Sequence, residues 1–198
     1  MNKLSIIIPI HITNEEVLGH LTKCFEALDK QSVKDFDILI ASFGKCKEDI
    51  LNANTVNLDL EFIDLPKALD EIYPNYSQIV NFAVQSPKIK TPYFTILQFD
   101  DILNNTYVKN FIDYSNSYPL TSIFMPIVLE FNGTEFTRSI NEVVWSFGFT
   151  GKEGRQGYLD FNTLKQFNIF SFASAIYKTE DFILEGGFKN SIKKYFEY

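Results

Sequence analysis

"TPYFTILQFDDIL", residues 91–103, is an apolar run that breaks into two adjacent carboxylates, Asp100 and Asp101, and then resumes as apolar residues. Its aromatic and β-branched content suits a strand buried on both faces. Working outward, "KLSIIIPI" (3–10), "FDILIAS" (36–42) and "NLDLEFI" (57–63) read as three more strands of the same kind. Helical faces separate them. Val17, Leu18, Leu21, Cys24, Phe25 and Leu28 recur on one face behind Thr13 and Glu16, which stand in capping-box spacing. A short polar helix starts near Lys45, and Tyr76, Ile79, Val80, Ala83 and Val84 form another apolar face. Strands alternating with helices make parallel βαβ units, so the chain is expected to be an α/β protein with a doubly wound, mostly parallel sheet. Ligands bind such sheets beyond the carboxyl ends of the strands, which is where Asp100 and Asp101 stand.

After Asp101 the pattern changes. A helix is expected over Thr106–Ser117, and Asn132-Gly133 between apolar runs signals a tight hairpin, expected as antiparallel material on one edge of the sheet. "SFGFTGKEGRQGYLDF" (146–161) spaces four glycines three apart without meeting a phosphate-loop pattern and reads as a mobile loop. Its Lys152 and Arg155 either close on an anionic substrate or are solvated surface cations, and Trp145 beside it is either a sugar-stacking ring or a core anchor. A strand and a short helix capped by Thr179 and ended by Gly186 follow.

At 198 residues and 45% hydrophobic, the chain is long enough for one substantial core, and a single domain is expected. No apolar run approaches the roughly 20 residues of a membrane span, and the N-terminal segment lacks a cleavage site, so a cytoplasmic protein without an integral membrane segment is expected. A net charge of −7 offers no basic stripe, which argues against nucleic acid as a partner. The two cysteines, Cys24 and Cys46, lack metal spacing, and Cys24 reads as a small buried hydrophobe.

The order of pieces resembles the inverting family 2 glycosyltransferases of the Rossmann-like GT-A fold over nearly the whole chain. "SIIIPIH" is similar to the family's opening strand, with His11 where an aromatic usually stacks on the nucleotide base. "DILIASFGK" is similar to its second strand, but Ser42 and Phe43 replace two acids, the first of which usually bonds the base. In "NFAVQSPKIKTPYFTILQFDDIL" Asn81 takes the family's asparagine position, Gln98 replaces the first acid of the metal motif, and Asp100 and Asp101 are retained. "EGGFKNSIKKYFEY" resembles the acceptor-side Gly-Gly-Phe turn, and Glu197 falls at the place of the catalytic carboxylate.

The resemblance implies a single domain over 1–198, with a nucleotide-sugar part (1–104) and an acceptor part (105–198), in a chain that is either unusually short or a piece of a longer one. It implies transfer of a sugar, with inversion, from a nucleotide-diphospho-sugar to a glycan or other hydroxyl acceptor, assisted by Mn2+ or Mg2+. Asp100 is the expected metal ligand, as hard divalent ions are commonly held by one or two carboxylates plus substrate phosphates. His11, Ser42, Phe43, Asn81, Gln98 and Asp100 are the expected donor-binding residues, and an amide at Gln98 can still bond a ribose hydroxyl. Glu197 is the expected general base and Asp101 the second candidate. The changes at Ser42, Phe43 and Gln98 keep open an alternative, a degenerate module that binds a nucleotide sugar, glycan or protein without catalysis.

Overall fold

All seven residues of β1 (Leu4–Ile10) are buried, which explains why its sequence is nearly continuous in β-branched residues rather than alternating. The computed structural model describes residues 2–69, 76–142 and 171–190. Along them run β1, α1 (Glu15–Asp29), β2 (Phe36–Ser42), α2 (Lys47–Ala53), β3 (Leu60–Asp64), α3 (Tyr76–Val84), β4 (Tyr93–Ile96), α4 (Tyr107–Ser117), β5 (Ile123–Phe124), β6 (Val128–Phe131), β7 (Phe136–Ile140), β8 (Ile176–Lys178) and α5 (Thr179–Leu184). The chain divides into two compact units, Met1–Phe124 with Ile176–Tyr198, and Met125–Ala175.

In the first unit a six-stranded sheet has the order β3-β2-β1-β4-β8-β5. β1, β2, β3 and β4 are parallel, while β8 is antiparallel to both β4 and β5. Ile6, Ile8 and Ile10 of β1 share a core with Leu21, Cys24, Phe25 and Leu28 of α1 and with Val108 and Phe111 of α4. On the opposite face α3 packs on β1 and β2 with Ile79, Val80, Ala83 and Val84 buried. Burying a residue such as Ile8 or Leu21 completely contributes about 1.5–3 kcal/mol each, so this two-sided core fixes the sheet.

Three local readings of the sequence are corrected. The cap of α1 is Asn14, whose side chain accepts the Val17 N–H at 2.9 Å, whereas Thr13 donates to Asp49 Oδ2 at 2.5 Å; the capping signal lies one residue later than the spacing implied. Thr179 is the first helical residue of α5 rather than its cap, and its hydroxyl donates to the Thr91 carbonyl at 3.1 Å. The hairpin forms, with Gly133 at φ +98° and Asn132 Oδ1 accepting from the Thr134 and Glu135 N–H groups, but β6 and β7 make their own two-stranded sheet in the second unit. The antiparallel edge of the main sheet is supplied by β8 and β5.

Candidate functional site

The strand order reverses at β1, which has β2 on one side and β4 on the other, so the crevice for a ligand opens at the carboxyl ends of β1 and β4. Leu97 extends the pairing by donating to the Ile7 carbonyl at 2.9 Å, and the chain then turns, with the Asp101 N–H donating to the Gln98 carbonyl at 3.1 Å. This turn delivers Gln98, Asp100 and Asp101 directly beyond β4. From the far side Gln31, at the end of α1, holds the loop that follows. Its Nε2 donates to the Asn104 carbonyl at 2.8 Å and its Oε1 accepts the Val108 N–H at 3.2 Å, satisfying one of the orphan donors of α4. Tyr107 donates to Thr95 Oγ1 at 3.1 Å and ties the same helix to β4. Sequence reasoning missed Gln31 because its partners are 73 and 77 residues away and leave no local pattern.

Asp100 is exposed and Asp101 partly buried. Neither makes a side-chain hydrogen bond or ion pair among the described residues. Burial first, and the Asp100 charge second, push the Asp101 carboxyl up to about 6. The Cys24 thiol, on α1, is pushed up to about 12 by burial and then by the Asp101 and Asp100 charges, so it is a protonated core residue and not a nucleophile. Two adjacent carboxylates without a compensating cation are able to take up a cation or a proton. Among the described residues no three acidic, histidine or cysteine side chains converge. A hard divalent ion that takes one or two carboxylate oxygens and fills its shell with water and substrate oxygens fits this donor set; a closed protein cage does not.

A raised carboxyl pKa has a stability consequence of definite sign. Burial of Asp101 costs nothing while it is protonated in both states, below about pH 4, and stability is lost as pH rises through about 6. Asp101→Asn, which stays neutral, is therefore expected to match the wild type near pH 4 and to be more stable by about 3 kcal/mol at pH 8. Thermal unfolding across that range checks it, and an Asn variant equally or less stable at pH 8 would show that the carboxylate is compensated.

At the ends of β1 and β2, His11 meets Phe43 edge to face at 5.5 Å between ring centroids, and the Lys45 ammonium lies 5.4 Å from the Phe43 centroid. Ser42 is 1% exposed and Phe43 4%, so neither offers its side chain to a ligand unless the strand end opens. Asp64, exposed at the end of β3, pairs in register with Ser42 and places a carboxylate one strand further out. Its signal was the acid that ends an apolar run, as at Asp100.

Asn81 is buried at 8% exposure, and its carboxamide faces inward. Nδ2 donates to the Phe188 carbonyl at 2.7 Å and to Asn190 Oδ1 at 3.0 Å, while Oδ1 accepts the Phe188 N–H at 2.9 Å. The residue thus fastens α3 to the Gly186-Gly187-Phe188 turn. Gly187 has φ +75°, and a Cβ there would lie 2.4 Å from Asn81 Oδ1. Glu197, Lys152, Arg155 and Trp145 lie outside the described residues.

This architecture is a GT-A-type fold, shared with solved glycosyltransferases. Residues 1–349 of S. aureus TarS in complex with UDP share it, with 14% identity over 98% of this chain and 52% of that one and a TM-score of 0.67. So does the mannosyltransferase PcManGT from Pyrobaculum calidifontis in complex with GDP-Man and Mn2+, at 14% identity over 96% of this chain and 48% of that one, TM-score 0.60. Mouse xyloside xylosyltransferase 1 in its apo form matches at 13% identity over 99% of this chain and 70% of that one, TM-score 0.53. The chain spans about half the length of the TarS and mannosyltransferase chains. No family model and no curated protein matches the sequence. Among the described residues no helix is long and apolar enough to cross a membrane.

Proposed function

We propose that the chain belongs to an inverting, metal-assisted glycosyltransferase, with residues 1–104 binding the nucleotide sugar and residues 105–198 serving the acceptor. The observation that carries this is the uncompensated Asp100–Asp101 pair beyond β4, at the switch point of a GT-A-type sheet. That PcManGT was captured with GDP-Man and Mn2+ supports it. Asp100, the more exposed acid, would hold the ion with the donor's phosphates, and Asp101 stands beside it. When bound, a divalent ion supplies Lewis-acid neutralisation of the charge growing on the leaving diphosphate. His11 lines the nucleotide end and Gln98 the ribose side, while Ser42 and Phe43 shape the wall behind them. Asn81 holds the acceptor-side turn rather than the donor.

In the transfer, the acceptor oxygen forms its bond to the anomeric carbon as the bond from that carbon to the diphosphate oxygen breaks. The electron pair leaves with the nucleoside diphosphate, and the acceptor proton passes to a carboxylate. Glu197 is the proposed base, with Asp101 second. Removing the base costs about a hundredfold or more in turnover while donor binding persists. Glu197→Gln and Asp101→Asn, assayed for transfer and for donor binding in parallel, identify it.

The burial of Ser42 and Phe43 favours a second reading, a module that binds without transfer. A thermal-shift experiment with UDP, GDP and their sugars, with and without Mn2+, followed by a transfer assay, separates the two. Stabilisation that requires Mn2+, with sugar released to an acceptor, supports the enzyme. Binding without turnover on any glycan acceptor supports the module, and equal stabilisation in chelator overturns the metal assignment.

A further inference from the structure

A groove of about 370 Å³ lies open in the first unit beside α3, and its described lining residues carry no charge. Carboxamides and an aromatic ring, rather than charged groups, are what its described walls offer to a ligand. Gln78 and Phe82 line it from α3, and Gln85 from the residue just past the helix end, where its N–H still donates to the Asn81 carbonyl at 3.1 Å; the spacing of i, i+4 and i+7 puts all three on one side. Phe82 is 41% exposed and makes no ring contact among the described residues, although an aromatic side chain on a core-packed helix normally turns inward. The carboxamides of Gln78 and Gln85 make no side-chain hydrogen bond among the described residues. Pro66 and Leu69, in the segment after β3, and the backbone of Gly186 close the other walls.

We propose that this groove is a binding subsite for a neutral pyranose sugar. The C–H face of the ring lies on Phe82, and each flanking carboxamide, carrying both a donor and an acceptor, serves hydroxyls at the rim of the ring. The volume accommodates one or two sugar rings, which is the scale of small-molecule sites. Asn81 takes no part, because its amide is committed to the Gly-Gly-Phe turn. As a subsite for an acceptor glycan the proposal rests on the transferase reading; as a sugar site it does not.

The test is a heteronuclear NMR titration of the chain with maltose, cellobiose and N,N′-diacetylchitobiose, following the side-chain amide signals of Gln78 and Gln85. At least one disaccharide is expected to shift both saturably, with dissociation constants on the order of 1 mM. Phe82→Ala is expected to weaken that binding by about tenfold or more, and Phe82→Tyr, which keeps the ring face, to retain it. No saturable shift with any of the three sugars, or equal binding by Phe82→Ala, overturns the proposal. The Mn2+-dependent thermal shift with UDP and GDP is measured on the same samples. If that is absent while the sugar titration and the Phe82 effect hold, the transferase reading falls and the sugar site stands; the reverse pattern removes only the site.

Discussion

Asp100→Asn is expected to erase the Mn2+-dependent part of the stabilisation that UDP or GDP confers, whichever of them binds. At a ligand concentration of a hundred times the dissociation constant, binding to the folded state adds about 2.7 kcal/mol. For a domain of this size that is roughly 5–10 °C in midpoint temperature. The wild type should show this shift with Mn2+ and little of it in chelator, since the crevice beyond β4 has no cation within ion-pair distance of its carboxylates among the described residues. The Asn variant should show little in either. Asp101→Asn is expected to keep most of its ligand-induced shift, each variant being compared with its own unliganded midpoint because the Asn itself changes the baseline. The reverse ranking would make Asp101 the metal ligand and remove it from consideration as a base.

Gly187→Ala is expected to be the most damaging small substitution among the described glycines, lowering stability by about 3–5 kcal/mol. Part of this is backbone strain: a residue with a Cβ at φ +75° costs about 1–2 kcal/mol. The larger part is the collision. The new methyl would sit 2.4 Å from Asn81 Oδ1 and 2.9 Å from its Cγ, so the buried amide must move and give up its bonds to the Phe188 backbone. Leaving such groups unsatisfied costs about 1–3 kcal/mol each. Gly186→Ala is the internal control. Its φ is +82°, yet nothing lies within 4 Å of an added Cβ, so it should lose only the strain. Chemical denaturation of the two variants checks the difference, and equal losses would mean that Asn81 yields without cost.

The legible part of this fold was the part encoded locally. Parallel strands buried on both faces leave unbroken apolar runs, and β1, β2 and β4 were readable for that reason; β3, an edge strand with Glu61 and Asp64 exposed, was readable from its alternation instead. The helix faces of α1 and α3 followed from their periodicity, and Asp100 and Asp101 followed from where a buried strand must end. What escaped was encoded across distance. β8 was read as a strand before the last helix, but its place in the sheet was not, and β5, with two residues, is too short to carry a pattern; both places are fixed by pairing with β4 and with each other. Gln31 and Asn81 look like ordinary polar residues until their distant partners are known. Asn81 had the right position in the resemblance, yet its geometry gives it to the turn.

The way β8 enters the sheet sets an order on assembly. β1, β2, β3 and β4 come from the first 96 residues and are joined by short helical crossovers, so they can collapse together early. β8 begins 80 residues after β4 ends, and Phe124 and Ile176 face each other across the β5–β8 pairing. Closing so long a loop costs only slightly more than closing a shorter one, because the entropy grows with the logarithm of its length. Until it closes, Tyr93-Phe94-Thr95-Ile96 is a bare apolar edge with unpaired backbone groups on one side. Such edges pair with other chains. A chain cut before Ile176 would therefore keep the Asp100–Asp101 turn and most of the core but expose an adhesive strand, and aggregation would be its first symptom.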